Sequence, residues 1–310
     1  MCLQPLGHLS RRRKLNRPLP SVKSLAEAAR AALRFPRPAA PANLIHRDST
    51  MAVTYGSYLK LDQLLALQQP LSDGPEHDET LFIVVHQVYE LWFKEILHEL
   101  DYLQELLRER DESRAGQALK RILTILKVVV AQIDVLETMT PLEFLSFRDR
   151  LESGSGFQSW QFRELEFAMG LKRGDALDRY PGGSEPRRKL EARLAAPTLW
   201  DAFLNYLAAE AYPIPKDALA RDVTAPVAAN PAVQQVLIEV YRTNPAASAL
   251  CERLVDLDEG MQEWRYRHVK MVQRTIGTRG GTGGSSGAEY LLGTLNRPLF
   301  PDLWAIRTAL

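Results

Sequence analysis

The chain has 310 residues, of which 45% are hydrophobic and 25% charged, so it is long enough for one large globular domain or two ordinary ones. It contains no run of 18 uncharged apolar residues, which excludes a membrane-spanning helix. It has two cysteines and six histidines, and no two histidines are close in sequence. This composition excludes a disulfide framework and a four-thiolate zinc site.

The formal net charge of +1 conceals an uneven distribution along the chain. Residues 1–50 carry ten lysines and arginines against Glu27 and Asp48, a net charge of +8, and the remainder carries −7. A nucleic-acid surface on the folded part would need basic residues clustered there. We therefore expect no nucleic-acid partner for the acidic body, while binding by the basic segment alone stays open.

The basic segment, residues 1–50, contains four consecutive basic residues at 11–14 and several prolines, a composition typical of a disordered extension. An organelle transit peptide and an arm that binds nucleic acid or a membrane are the alternatives, and Met51 is a second candidate for the true start. The segment lacks the apolar core of a secretory signal. Together with the low cysteine count, this favours a cytoplasmic protein.

From Tyr55 onward the apolar residues recur at helical spacing, and strictly alternating β-branched runs are absent. The pattern predicts an all-α domain over residues 51–310, built as a bundle of long helices. A polar connection at 172–187 is predicted to be a loop. The predicted helices span 78–110, 114–138, a short segment beginning after Thr140, 157–171, 197–211, 231–243 and 245–276, followed by a C-terminal helical pair.

Residues 277–287 form a polar run rich in glycine that invites comparison with a phosphate-binding loop. The run lacks the lysine of a Walker A motif and follows a helix instead of a strand, which argues against nucleotide binding. A flexible linker and a mobile lid over a ligand are the two remaining interpretations.

Two histidines lie on long predicted helices in apolar surroundings. His86 follows Phe82 by one helical turn, and His268 follows Trp264 at the same spacing. Each histidine by itself is more typical of a satisfied core residue than of a ligand. Together they could flank a planar cofactor, one as its axial ligand and the other on the opposite side, but sequence spacing does not show that they meet.

Phe144 and Arg148 are one turn apart on the short helix after Thr140, so they could present an aromatic wall beside a guanidinium. A guanidinium binds a carboxylate through two parallel hydrogen bonds, although a solvated charge is the ordinary interpretation of a single arginine. Tyr55 and Tyr58, three residues apart, are likewise more often packing residues than pocket residues.

Several of these segments occur together in a pattern that resembles the tryptophan 2,3-dioxygenase family. The resemblance spans about residues 55–310, and its glycine-serine and WRYRH blocks are the specific ones. The blocks are YGSY at 55–58, HDETLFIVVHQ at 77–87, ELWFK at 90–94, LETMT at 136–140, FR at 147–148, SGFQS at 155–159, WRYRH at 264–268 and GTGGSSG at 281–287.

The resemblance implies an all-α enzyme that encloses a b-type haem, active as Fe(II), and inserts both atoms of O2 across the indole C2–C3 bond of L-tryptophan. The product would be N-formyl-L-kynurenine, in the first step of tryptophan catabolism by the kynurenine pathway. The resemblance also implies a homotetramer, a dimer of dimers, in which the segment carrying Tyr55 and Tyr58 reaches a neighbouring subunit's pocket.

On the haem side, the resemblance implies that His268 is the axial ligand of the iron and that Ser155 lies close to the haem. Trp264 would either orient the His268 imidazole or wall the haem. His86 would be the distal histidine and would accept a hydrogen bond from the indole N–H, a role that requires its neutral form.

On the substrate side, the resemblance implies that Arg148 holds the carboxylate of L-tryptophan and Thr282 its ammonium group. Ordering of residues 277–287 on substrate binding would exclude water, which favours the lid. The residues implied to line the indole pocket are Phe82, Phe144 and Leu151.

Two rival functions remain. The first is an enzyme that acts on another indole, which would turn over indoles lacking the carboxylate faster than L-tryptophan. The second is a non-catalytic haem or indole sensor, which would bind its ligands and form no product.

Overall fold

A computed structural model of the chain describes residues 52–74, 76–152, 154, 156–281 and 287–310. None of the described helices is both long and apolar enough to cross a membrane. The chain divides into two units, residues 1–61 and 62–310. In the first unit, helix α1 (Tyr55–Leu59) begins at a reciprocal cap, in which Ser57 N donates to Thr54 Oγ1 and Thr54 N donates to Ser57 Oγ.

The described residues form helices and connecting loops without a β-strand, which confirms the predicted all-α fold. Short 3-10 helices lie at Asp149–Leu151, Gly156–Gln158, Gly174–Arg179 and Ile306–Ala309. The α-helices after α1 are α2 (Leu61–Leu64), α3 (His77–Glu109), α4 (Glu112–Leu136), α5 (Pro141–Arg148), α6 (Trp160–Met169), α7 (Glu185–Ala195), α8 (Leu199–Ala209), α9 (Lys216–Leu219), α10 (Pro231–Thr243), α11 (Pro245–Ile276), α12 (Ala288–Leu292) and α13 (Pro301–Ala305).

The core of the second unit is formed by its three long helices, with α4 packed against both α3 and α11. Each presents a stripe of fully buried apolar side chains, such as Leu100 on α3, Ile122 on α4 and Leu254 on α11. At Gly260 the helices α11 and α4 approach so closely that an added Cβ would lie 2.7 Å from Leu126 Cδ2. Glycine at this position therefore allows the two helices to pack.

The predicted long helices agree with the structure to within a few residues, and the two predicted at 231–243 and 245–276 have the observed bounds. Their starts are marked by an asparagine cap followed by proline. The helix predicted at 197–211 begins later, because Thr198 caps it and Pro197 lies before the cap. The helix predicted at 157–171 is divided into a 3-10 turn and α6, which Ser159 caps.

Helix α7 was not predicted, and its first residues fall inside the connection that we expected to be a loop. Its sequence is strongly polar, and Leu190 is its one buried residue. The sequence does contain a signal for the start of this helix, a serine followed closely by a proline. Ser184 caps the helix by accepting a hydrogen bond from Arg187 N, and Pro186 occupies the first turn. The remainder of the predicted connection is also partly ordered, as the 3-10 helix Gly174–Arg179.

Candidate functional site

Two adjoining cavities lie between the long helices of the second unit. The first, which we name the Trp264 cavity, has about 940 Å³ of empty space including its mouth, and the second, the Phe144 cavity, has about 910 Å³. His86 on α3 and His268 on α11 line both cavities, so the helix packing brings the two predicted histidines to a common wall.

The imidazole of His86 is held in one tautomer by its own helix. Its Nδ1 lies 2.7 Å from the carbonyl oxygen of Phe82, which can only accept, so Nδ1 carries the proton and Nε2 carries a lone pair. Burial lowers the pKa of His86 and outweighs the hydrogen bond to Phe82, which acts in the opposite direction. The residue therefore presents a neutral acceptor to the cavities.

The imidazole of His268 is also neutral. Burial is the main cause that lowers the pKa of His268, to about 4, and repulsion from the protonated form of nearby His86 acts in the same direction. Its ring stacks almost parallel on the indole of Trp264, with centroids 5.0 Å apart and an interplanar angle of 9°. Phe162 packs on the same indole at 4.6 Å. A neutral imidazole is the form that binds a metal ion, so His268 has the chemistry of a ligand.

These features fit a haem group. His268 offers an imidazole in a cavity whose surface is mainly apolar. A single protein ligand is enough for haem iron, because the macrocycle supplies four nitrogen ligands. The indole Nε1 of Trp264 is buried, and the hydroxyl of Tyr89 is the acceptor close to it. The aromatic side chains that line the cavity suit a flat, mainly apolar group.

The Phe144 cavity combines an aromatic wall with a guanidinium. The ring of Phe82 lies 5.8 Å from that of Phe144, and both pack on buried Phe147 at 5.5 Å. Arg148, at the end of α5, is partly exposed and lines the cavity, and its Nη2 donates to the carbonyl oxygen of Gly280 at 2.7 Å. Leu151 also lines this cavity, in the 3-10 turn after α5.

The structure thus gathers seven of the predicted site residues into two adjoining cavities: Phe82, His86, Phe144, Arg148, Leu151, Trp264 and His268. Ser155 and Thr282 lie outside the described residues. Their glycine neighbours Gly154, Gly156 and Gly281 line the Phe144 cavity. Tyr55 and Tyr58 lie on α1 in the first unit, and each has 76% of its surface exposed.

Sequence reasoning missed a charged cluster at the edge of the Trp264 cavity, which we name the Glu166 cluster: Arg163, Glu166, Arg173 and Arg265. Arg163 and Glu166 are one turn apart on α6, a spacing that could have indicated an ion pair. Arg265 belongs to the WRYRH block and lies 3.1 Å from Glu166, from a distant part of the sequence. No sequence pattern pointed to that contact.

Comparison with known proteins gives consistent results. The model of the tryptophan 2,3-dioxygenase family matches residues 41–185 and 216–310. A relative described as tryptophan 2,3-dioxygenase from Herpetosiphon aurantiacus is 62% identical over 84% of this chain and 100% of its own length. Relatives of the same description from Anaeromyxobacter sp. and Bacillus cereus are 57% and 44% identical, over 84% and 86% of this chain and 97% and 96% of their own lengths.

Proposed function

The chain belongs to the tryptophan 2,3-dioxygenase family, whose members cleave tryptophan oxidatively, and we propose that its two cavities hold haem b and L-tryptophan for this reaction. As a member of the family it is an oxidoreductase. Both atoms of O2 enter the C2–C3 bond of the indole, and the product is N-formyl-L-kynurenine, the first intermediate of the kynurenine pathway. Residues 51–310 make up the catalytic domain, and residues 1–50 are an extension to it.

In this proposal haem occupies the Trp264 cavity with His268 as the axial ligand. Bound haem iron supplies the activation of O2, which in its ground state reacts poorly with a closed-shell indole. The lowered pKa of His268 keeps its lone pair available for the metal at neutral pH. Trp264 stacks on the ring and so keeps it in one orientation. We further propose, as the family resemblance implies, that Ser155 contacts the haem.

L-Tryptophan occupies the Phe144 cavity in a single orientation. The indole packs against Phe82 and Phe144, with Leu151 beside them, and its N–H donates to Nε2 of His86. Because Nδ1 of His86 is occupied by a carbonyl, Nε2 is the acceptor that the ring offers. The hydrogen bond fixes which edge of the indole faces the oxygen, and so turns an encounter into a positioned reaction.

The amino-acid end of the substrate is held by charge. Arg148 binds the carboxylate, and Thr282 contacts the ammonium group. The present partner of Arg148 is the carbonyl oxygen of Gly280, at the start of the glycine-rich run. The guanidinium has donors enough for this carbonyl and a carboxylate together, so substrate binding and the position of Gly280 are linked through one side chain. We further propose, as the family resemblance implies, that residues 277–287 exclude water from the bound substrate.

In this proposal the substrate pocket of each subunit is completed by residues of a neighbouring subunit. We propose a homotetramer, a dimer of dimers, in which Tyr55 and Tyr58 contribute to a neighbouring subunit's substrate pocket. Their exposure supports this arrangement, because large aromatic side chains left in water are typical of interaction sites. The one described cysteine, Cys251, is a buried free thiol, consistent with the cytoplasm, where we expect the enzyme to act.

The observation that carries the proposal is the meeting of an acceptor imidazole, an aromatic wall and a guanidinium in one cavity of a chain from this family. The test is aerobic turnover of L-tryptophan by the reduced, haem-loaded protein, followed by the absorbance of N-formylkynurenine. Tryptamine, which lacks the carboxylate, is the matched substrate. Faster turnover of tryptamine would indicate an enzyme for another indole, and bound haem without any product would indicate a sensor.

A further inference from the structure

The Glu166 cluster is a mainly buried group of four charged side chains that the proposed chemistry does not use. Glu166 accepts from Arg163 and from Arg173 on Oε2, the latter at 3.2 Å, and from Arg265 on Oε1 at 3.1 Å. Glu166, Arg163 and Arg265 are buried, and the Arg173 side chain has 22% of its surface exposed. All four residues line the Trp264 cavity.

The cluster remains ionised in spite of its burial. Burial by itself would raise the pKa of Glu166, but the charges of Arg163, Arg265 and Arg173 outweigh it and lower the pKa. Burial of a carboxylate is offset only by close ion pairs and hydrogen bonds, and here three guanidinium groups supply them. The cluster as a whole has three positive charges and one negative charge.

The charges along the cavity can be counted from its described lining residues. Besides the Glu166 cluster, the only other charged side chain among them is Glu90, whose Oε2 accepts from Gln161 Nε2 at 2.8 Å. Three guanidinium groups thus face two carboxylates, and the two histidines are neutral. The described lining carries an excess of one positive charge, placed at one side of a cavity that is otherwise mainly apolar.

Arg163 and Arg265 also retain donors. A guanidinium has five N–H groups in a planar fork. Arg163 and Arg265 each use one nitrogen on Glu166, and the second terminal nitrogen of Arg265 has a long contact, 3.5 Å, with the carbonyl oxygen of Arg297. Glu166 holds the three planes in fixed positions, so a second carboxylate would meet prepositioned donors.

We propose that the Glu166 cluster is the receptor for the propionate carboxylates of the haem, and that Glu166 acts as a positioning residue for the three arginines. The inference rests on the proposed function, because it requires haem in the Trp264 cavity. The apolar macrocycle lies between His268 and the aromatic side chains, and the acidic edge of the cofactor meets the basic side of the cavity. The cluster therefore fixes the rotation of the macrocycle about the axial ligand.

The experiment compares haem with its dimethyl ester, which has the same macrocycle and no carboxylate charge. Each is loaded into the full-length protein, and its rate of transfer to excess apomyoglobin is measured. For the unaltered protein we expect the ester to leave about tenfold faster, the effect of losing a charge-assisted hydrogen bond. In Arg163→Gln and Arg173→Gln, haem should leave faster while the ester is little affected, so that the ratio of the two rates falls toward one.

Arg193→Gln is the matched control. Arg193 is also a largely buried guanidinium, paired with Asp101 and Glu164, but it lines neither cavity, so the ratio should be unchanged in this variant. If Arg163→Gln does not fold, Arg173→Gln decides the matter, because it removes the most exposed member and leaves Glu166 two partners.

Two outcomes overturn the proposal. Equal loss of haem and ester from the unaltered protein would show that the carboxylates are not held. The second is a ratio of ester to haem transfer rates that is unchanged in the folded arginine variants, together with a thermal stability that is lowered equally with and without bound haem. This result would show that the cluster only joins α6 to α11. Failure of the unaltered protein to take up haem at all would instead contradict the proposed function, and the inference with it.

Discussion

Nη2 of Arg148 donates to the carbonyl oxygen of Gly280 at 2.7 Å, and so joins the end of α5 to the glycine-rich run that follows α11. The same guanidinium lines the cavity that also holds His86 and Phe144. One side chain therefore belongs both to the proposed substrate site and to the segment that we propose to cover it.

The first prediction concerns Arg148. In Arg148→Ala we expect KM for L-tryptophan to rise at least about 30-fold, because deletion of a charge partner costs roughly 2 kcal/mol or more. Steady-state kinetics with L-tryptophan and with tryptamine checks this, since tryptamine has no carboxylate to lose. Arg148→Lys keeps the charge without the fork and should be intermediate. A rise in KM of the same size for both substrates would contradict the carboxylate role.

The second prediction concerns the acceptor on His86. Methylation of the indole nitrogen removes the donor, so kcat/KM should be lower for 1-methyl-L-tryptophan than for L-tryptophan by about tenfold, as expected for one hydrogen bond in a closed site. In His86→Ala this preference should disappear, while some turnover remains. Discrimination that persists in His86→Ala would place the N–H contact elsewhere.

A pH dependence follows from the same residue. Protonation of His86 would occupy the Nε2 lone pair, and burial lowers its pKa below the usual 6.5. The active neutral form therefore predominates at pH 7, and the loss of kcat/KM on acidification should be centred below pH 6.5. The acid limb should be missing from the profile of His86→Ala. An acid limb unchanged in that variant would assign the titration to another group.

The fourth prediction concerns the axial ligand. His268→Ala should lose the five-coordinate ferrous haem spectrum, and added imidazole should restore it in part, because the space of the side chain is then open. Trp264→Phe is the matched control, since it retains an aromatic ring beside the imidazole and leaves the ligand itself in place. Normal ferrous spectra in His268→Ala would remove this residue as ligand.

The fifth prediction concerns helix packing. Gly260→Ala places a methyl group 2.7 Å from Cδ2 of buried Leu126, and this packing cost of about 1–3 kcal/mol is offset in part by a gain of about 1 kcal/mol in helix propensity, so the free energy of unfolding should fall by up to about 2 kcal/mol. Gly116→Ala, on α4, is the control, because the nearest atom to its added Cβ is 4.0 Å away. That substitution should stabilise the helix by up to about 1 kcal/mol. Chemical denaturation measures both, and equal effects would contradict the close approach.

Much of the fold could be predicted from local signals. The reciprocal cap of Thr140 and Glu143 is visible in the sequence and is formed in the structure, with Thr140 N donating to Glu143 Oε2 at 2.6 Å. Helix α7 escaped prediction because it buries a single leucine, and periodicity detects only helices with an apolar face.

The site was less accessible to local reasoning. His86 and His268 each look like ordinary core histidines, and only the packing of α3 and α11 around α4 brings them to one wall. The family resemblance selected these residues without showing that they meet. Arg265 was in a recognised block, yet its partner Glu166 is 99 positions away, a pairing that no helical spacing encodes.

Both cavities are lined by His86, His268 and Phe157, which therefore form a wall common to the two. Because of this common wall, binding in one cavity affects binding in the other. A ligand in the Trp264 cavity becomes part of the surface that a ligand in the Phe144 cavity touches. If haem fills the Trp264 cavity as we propose, it forms one face of the Phe144 cavity, and the affinity for tryptophan is then expected to depend on the haem content of the protein.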